Sequence, residues 1–134
     1  MNSPRQLELK ITSDPANLAP VRRELEGFCA ECGFVDSARG EIVLSVNEAL
    51  TNITRHAYGG AIDRPIHLRL TFADGTLRIA LRDWGNGKLP EARPVCREPL
   101  KPGGVGLLCL RELMDRIEFE PQPDGMQLIM ERRL

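Results

Sequence analysis

Three polar residues of types suited to phosphate and proton chemistry recur at intervals of four along one segment of the chain. Glu48, Asn52 and His56 occupy these positions within a stretch whose apolar residues follow helical spacing. In a helix, residues four apart are offset by about 40° and project from one side, so the three side chains could act together. A carboxylate and a carboxamide one turn apart suit divalent-metal chemistry, with the amide oxygen as ligand and the carboxylate as proton acceptor. The alternative is an ordinary solvated helix face, because the polar stripe also includes Glu41, Ser45 and Arg55.

Two glycine-containing motifs follow this segment. Asp83 stands directly after a predicted strand and begins a D-x-G-x-G run with Gly85 and Gly87, in which the glycines let backbone and ligand come close. Further along, the run 103–106 (GGVG) opens a predicted helix and offers unpaired N–H groups to a phosphate chain. Taken alone, the first motif is also typical of a turn, and the second of a flexible loop end.

The elements that must position these residues predict an α+β fold. Alternating polar and apolar residues indicate strands at 6–11, 66–72, 77–82, 116–120 and 126–132, and an Asp74-Gly75 turn joins the second and third. Helical spacing indicates helices over 17–34, from a cap at Asp36 or Ser37 to Gly59, and over 105–115. This order predicts a two-layer sandwich in which helices cover one face of a mixed, mostly antiparallel sheet.

Composition and charge exclude several classes of protein. The 134 residues are enough for one domain, 1–134, and the formal charge of −1 provides no broad positive field for a nucleic-acid backbone. No apolar run is long enough to cross a membrane, and the first residues lack the apolar stretch of a secretory signal. Cys29 and Cys32 form a lone C-x-x-C late in a helical pattern, which favours a reduced structural pair over a metal or redox site. We expect a cytoplasmic protein with no direct nucleic-acid or membrane partner.

The three motifs, in this order and with these intervals, resemble the ATP-binding domain of the GHKL superfamily, which has the Bergerat fold. The segment 41–58 (EIVLSVNEALTNITRHAY) is similar to the N box of that superfamily, 83–87 to its first glycine box and 103–115 (GGVGLLCLRELMD) to its second. Within the superfamily, the chain is most similar to the anti-sigma-factor serine/threonine kinases of bacterial partner-switching systems. Their signature includes N-E-A-x-x-N followed by R-H-A-Y, and the resemblance covers practically the whole chain.

This resemblance implies specific roles at a site for ATP and Mg²⁺. Asn52 would ligate Mg²⁺, Glu48 would activate the attacking hydroxyl, and Asp83 would accept a hydrogen bond from the adenine amino group. The remaining nucleotide contacts would come from Gly85, Gly87, Gly103, Gly104, Val105, Gly106 and Leu107. Residues 86–102 would form the ATP lid.

Some residues depart from the family pattern or keep open roles. Lys88-Leu89-Pro90 stands where relatives often carry an aromatic and an acidic residue, which affects the expected start of the lid. His56 is interpreted as a structural or supporting residue, with a phosphate-side role as the alternative, and Tyr58 as a packing residue. Trp84 would either border the nucleotide or shield the strand end. The chain has no helical hairpin with a phosphoacceptor histidine, so a complete histidine autokinase is not expected.

Two functions from different classes follow from the resemblance. The first is an anti-sigma factor and protein serine kinase that sequesters a sigma factor or similar regulator and phosphorylates an anti-sigma-factor antagonist, acting as a homodimer. The second is a non-catalytic ATP-binding module that sequesters a regulatory partner. The presence of Glu48 favours the first, because a binder could lose that carboxylate. The third possibility is an unrelated α+β domain in which the motifs coincide by chance.

Overall fold

A computed structural model of the chain describes residues 5–85 and 110–134, and only the backbone at 110 and 111. The predicted ATP lid, 86–102, lies outside the described residues, as do the first five residues of the predicted third helix. The same is true of several predicted nucleotide contacts, namely Gly87, Gly103, Gly104, Val105, Gly106 and Leu107. The assignment of the whole chain to one domain stays a prediction.

The strands form one five-stranded sheet in the order β1-β2-β3-β5-β4. Their bounds are Arg5–Thr12 (β1), Pro65–Ala73 (β2), Thr76–Asp83 (β3), Arg116–Gln122 (β4) and Gly125–Arg133 (β5). Each neighbouring pair is antiparallel, so the mixed sheet expected from the sequence is wholly antiparallel in the described residues. Tight turns join two of the four pairs: Asp74 and Gly75 have positive φ and join β2 to β3, while residues 123 and 124 join β4 to β5.

Two long helices account for most of the second layer. A 3₁₀ turn, Pro15–Asn17, leads into α1 (Leu18–Cys32), which lies within the predicted 17–34, and Gly33 with φ +99° ends it. The second helix, α2, runs over Asp36–Asn52 and continues as a π-helical segment, Ile53–Ala57. Its N-cap is Val35 rather than Asp36 or Ser37, and Asp36 instead pairs with Arg39 in the first turn. The four residues Leu110–Leu113 form α3.

The core lies between the helices and one face of the sheet. Alternation along β2 and β3 directs apolar side chains inwards, and the two strands contribute Ile66, Leu68, Leu70, Leu77, Ile79 and Leu81, all at most 1% exposed. Val21, Leu25, Ile42 and Val46 of the helices pack in the same cluster. The opposite face of the sheet carries mostly charged residues. The structure therefore has the predicted two-layer α+β arrangement.

The cysteine pair is part of this core. Cys29 is fully buried and Cys32 nearly so, and both are free thiols. Burial raises the pKa of Cys29 to about 12 and also raises the pKa of Cys32. Because a thiol is reactive as its thiolate, this environment agrees with the predicted structural pair. No helix in residues 5–85 and 110–134 is long and apolar enough to span a membrane.

Candidate functional site

Glu48 and Asn52 lie on the last two turns of α2. Both are in regular α-helix and both are half-buried, so the predicted placement on one side of the helix is retained. The stripe that they share is not an ordinary solvated face. Ser45 is fully buried and donates a hydrogen bond to the Glu41 carbonyl oxygen at 2.9 Å, while the Glu41 carboxylate pairs with Arg132 of β5 at 2.8 Å.

The Asn52 carboxamide has a buried group that the described residues leave unpaired. Its Nδ2 atom is buried and has no hydrogen-bond partner among them. A buried donor without a partner is costly, on the order of 1–3 kcal/mol, and uncommon in folded proteins. The side chain is therefore suited to a ligand that offers an acceptor to Nδ2 and a cation to the amide oxygen.

Burial also changes the acidity of Glu48. Desolvation raises the pKa of this carboxyl group, and the positive charge of Arg55, two turns further along the helix, acts in the opposite direction. A carboxylate with a raised pKa is a better proton acceptor near neutral pH than an ordinary one. This is the acid–base property expected of a group that activates a hydroxyl.

The helix changes pitch immediately after Asn52, which the sequence pattern did not reveal. In the segment Ile53–Ala57 the bonds run from residue i to i+5, and the Tyr58 N–H donates to the Ile53 carbonyl oxygen at 3.1 Å. His56 lies in this wider turn and is exposed. The four-residue spacing therefore relates Glu48 to Asn52 in regular α-helix, whereas His56 lies in a turn of different pitch, and its role stays a prediction.

Asp83 is the buried acidic residue at the end of β3. It is 3% exposed, and its Oδ1 accepts a hydrogen bond from the Gly85 N–H at 2.9 Å. Burial raises its pKa, while backbone N–H groups of Gly85 and Met126 and the charge of Arg82 act in the opposite direction. A buried carboxylate that keeps unused acceptor capacity can receive a further donor from a ligand.

The end of the π-helical segment is joined to the residues after β3 at two points. The Tyr58 hydroxyl donates to the Pro65 carbonyl oxygen at 2.5 Å and accepts from the Trp84 N–H at 2.8 Å. Beside it, a Cβ built on Gly85 would lie 2.5 Å from the Ala57 carbonyl oxygen, so only glycine allows this approach. We call the Tyr58–Trp84 hydrogen bond and the close approach of Gly85 to Ala57 the helix–strand joint. The joint links the helix that carries Glu48 and Asn52 to the strand end that carries Asp83.

Trp84 lies on the opposite side of the sheet from Asp83. Its ring makes an edge contact with His67 at 4.6 Å between centroids, and the Arg82 guanidinium lies 4.6 Å from its ring centroid. Both neighbours alternate along their strands with inward-facing core residues. Of the two roles considered from the sequence, the structure favours shielding of the strand end.

Sequence reasoning missed two groups of residues that support the site. Gly125, at the start of β5, lies so close to Asp83 that a Cβ would fall 2.0 Å from the Asp83 carbonyl oxygen. Buried Ser13 donates to the Ala61 carbonyl oxygen at 2.5 Å and accepts from the Arg64 N–H at 3.2 Å, while its carbonyl oxygen lies 3.1 Å from the Thr54 hydroxyl. The Pro-Asp-Gly turn at 123–125 is a sequence pattern that could have indicated the position of Gly125. A lone serine after a strand gave no indication of the Ser13 hydrogen bonds.

The donor set fits a nucleotide with Mg²⁺ better than a metal held by the protein alone. Among the residues that the structure describes, no three His, Cys, Asp or Glu side chains are grouped to hold a metal ion. Mg²⁺ is commonly held by one or two protein oxygens together with substrate phosphates and water. A single carboxamide with an unpaired buried atom, one turn from a carboxylate, is consistent with that mode.

Fold and site together define a class of protein: a two-layer α+β domain with a polar helix end tied to a buried strand-end aspartate. A family model described as the histidine kinase-like ATPase domain matches residues 11–132, and the chain belongs to this family.

Named relatives narrow the similarity within the family. The serine-protein kinase RsbW of Bacillus pumilus is 28% identical over 127 residues, which cover 85% of this chain and 77% of the relative. The serine-protein kinase RsbW of Halalkalibacterium halodurans is 26% identical, with 100% of this chain and 86% of the relative covered. Both relatives are named as serine-protein kinases, and this chain is similar to them over most of its length.

A solved structure supports the fold. The crystal structure of the RsbU and RsbW domains of Rv1364c from Mycobacterium tuberculosis matches with a TM-score of 0.73 at 21% identity. The match covers 97% of this chain and 32% of the solved chain.

Proposed function

We propose that this protein is an ATP- and Mg²⁺-dependent protein serine kinase that sequesters a sigma factor or similar regulator and phosphorylates an anti-sigma-factor antagonist. The observation that carries the proposal is the Asn52 carboxamide, whose buried Nδ2 has no partner among the described residues, one turn from the desolvated Glu48. The RsbW kinases to which the chain is similar support the choice of a serine kinase over other ATPases.

The chain's own residues would divide the work of phosphoryl transfer. Asp83 accepts a hydrogen bond from the adenine amino group, and the Asn52 amide oxygen holds the cation. Mg²⁺, when bound, neutralises negative charge on the phosphates. Glu48 accepts the proton of the antagonist's serine hydroxyl as that oxygen forms its bond to the γ-phosphorus and the bond to the β-phosphate oxygen breaks.

Regulation would follow from the charge of the product. A phosphoserine carries up to two negative charges at neutral pH, which weakens a contact made by the neutral hydroxyl. The unphosphorylated antagonist would compete with the sigma factor for this protein, and the phosphorylated antagonist would be released. The homodimer stays a prediction from the resemblance, for which light scattering of the purified protein is the direct measurement.

The experiment combines the purified protein, Mg-ATP and an anti-sigma-factor antagonist from the same genome. We expect phosphoserine on the antagonist, and we expect Glu48→Gln to lower the rate of transfer by about 100-fold or more while ADP still binds. Glu26→Gln, at an exposed position on α1, is the matched control and should transfer phosphate normally.

The pH profile of transfer gives a second readout of the same role. Because burial raises the pKa of Glu48, the rate should fall on acidification at a pH above the ordinary value of 4.5. Transfer by Glu48→Gln at the wild-type rate would contradict the role of Glu48. ADP binding by the wild-type protein without any phosphoserine would instead identify the non-catalytic binding module.

A further inference from the structure

Tyr58 makes contacts that a simple packing residue does not need. Its side chain is half-buried, and its hydroxyl both donates to Pro65 and accepts from the Trp84 N–H. Burial raises the pKa of this phenol, which keeps the hydroxyl protonated and able to donate. One side chain at the end of the helix thus connects the first residue of β2 to the first residue after β3.

The connection ends next to Asp83. Trp84, whose N–H is held by the hydroxyl, is the neighbour of Asp83 in sequence, and Gly85 donates to the Asp83 carboxylate. Tyr58 also closes the π-helical turn that begins directly after Asn52. To recognise one base over another, a polar group must be held at a well-defined position relative to the base. A rigid link of this kind holds it there.

Thr54 offers a comparison within the same helix end. Its hydroxyl lies 3.1 Å from the Ser13 carbonyl oxygen and 3.2 Å from that of Leu50. The first contact holds the helix to the residue after β1, the second lies within the helix, and neither reaches β3. Loss of the Thr54 hydroxyl therefore removes a part-buried hydrogen bond at the same helix end without loosening Asp83.

We propose that Tyr58 is a positioning residue for purine discrimination, which fixes Asp83 relative to Asn52 so that the site prefers adenine to guanine. The inference rests on the nucleotide site proposed above. Adenine presents an amino group where guanine presents a carbonyl oxygen, so a carboxylate held in place accepts a hydrogen bond from the first and repels the second. A carboxylate whose strand end can shift accommodates both bases more equally.

The test measures affinities for ADP and GDP by calorimetry in the wild type, Tyr58→Phe and Thr54→Val. Tyr58→Phe removes both hydrogen bonds of the hydroxyl, and we expect it to lower the ratio of ADP to GDP affinity about five- to tenfold, whereas Thr54→Val should leave the ratio unchanged. Hydrogen exchange of the Trp84 amide in the unliganded protein should increase in Tyr58→Phe alone. Sucrose in all samples keeps a destabilised variant folded during titration.

The outcomes distinguish a failure of the role of Tyr58 from a failure of the proposed function. An unchanged ratio in Tyr58→Phe, or an equal fall in Thr54→Val, overturns the role of Tyr58 while the nucleotide site stands. Absence of ADP binding to the wild type overturns the proposed function, and the role of Tyr58 with it. A fall in overall stability with the ratio intact shows that Tyr58 is only structural.

Discussion

At the scale of single residues, the candidate site depends on polar groups kept away from water. Asp83 and Glu48 both have raised pKa values because burial disfavours their charged forms. Asn52 has a buried atom that the described residues leave unpaired. Such groups lower the stability of the folded chain, and that cost is typical of positions where a ligand supplies the missing partner.

Asp83→Asn should have opposite effects on stability and on binding. Because the folded pKa of Asp83 lies above its ordinary value of 3.8, the folded state binds the proton more tightly than the unfolded chain. The associated stability is present at low pH and is lost as the pH rises from the ordinary value through the raised one. The variant carries no charge, so we expect it to unfold at higher urea concentration than the wild type at neutral pH.

The same variant should bind ADP about tenfold more weakly or worse, since a hydrogen bond to a charged group is replaced by one to an amide. Urea unfolding at several pH values and ADP titration are the measurements. Asp63→Asn, at a side chain 86% exposed, is the control and should change neither. A variant of Asp83 that loses stability at neutral pH would contradict the stated effect of burial.

At the scale of elements, the end of α2 is the part of the fold on which the site depends most. The change to π-helical pitch, the Tyr58 hydrogen bonds and the close approach of Gly85 to Ala57 all occur within a few residues. Wide helical turns of this type often occur at functional sites, because they redirect the chain and its side chains. Here the turn brings the helix end to the strand end.

Gly85→Ala should open the helix–strand joint. The added Cβ would lie 2.5 Å from the Ala57 carbonyl oxygen, and this atom belongs to backbone that cannot rotate away. We expect a loss of about 1–3 kcal/mol in the free energy of unfolding, together with weaker ADP binding. Thermal and urea unfolding, with ADP titration, measure both effects.

Gly40→Ala is the matched control, because Gly40 lies in α2 and a Cβ there meets nothing within 4 Å. A glycine in the middle of a helix is less favourable than alanine, so this variant should gain about 0.5–1 kcal/mol. If both variants changed stability in the same direction, the close approach at Gly85 would not be a constraint.

At the scale of the whole molecule, one arginine ties together three distant parts of the chain. Arg132 of β5 pairs with Glu41 of α2 at 2.8 Å and donates to the Leu113 carbonyl oxygen at the end of α3. Its side chain is 20% exposed, less than most ion-paired side chains of the described residues. This contact sets α3 against the helix that carries Glu48 and Asn52.

Arg132→Met should lower the free energy of unfolding by about 1–3 kcal/mol, since it leaves the Leu113 carbonyl and the Glu41 carboxylate without this partner. Arg5→Met removes the exposed pair with Glu31 at 3.2 Å and should cost less than about 0.5 kcal/mol. Urea unfolding of both variants at low and high salt is the measurement. Equal losses would show that Arg132 makes only a surface ion pair.

Much of the fold and part of the candidate site could be predicted from the sequence, because local periodicity and turn chemistry act over a few residues. The spacing of Glu48 and Asn52, the alternation in β2 and β3 and the Asp74-Gly75 turn each follow from backbone geometry that neighbouring residues determine. The two-layer fold was predicted on that basis, whereas the nucleotide site and its residue roles were predicted from the resemblance to the ATPase family. The predicted lid and the second glycine motif lie outside the described residues, and their roles stay predictions.

Tertiary structure alone decided which of these local features meet. The burial of Asp83, the contact of Gly85 with Ala57, the position of Trp84 across the sheet and the link from Arg132 to α2 join residues far apart in the chain. Each depends on how helices and sheet pack to bury a shared core, a sum over many long-range contacts that no short segment specifies. The change of pitch after Asn52 belongs to the same group, since apolar spacing alone does not distinguish an α turn from a π turn.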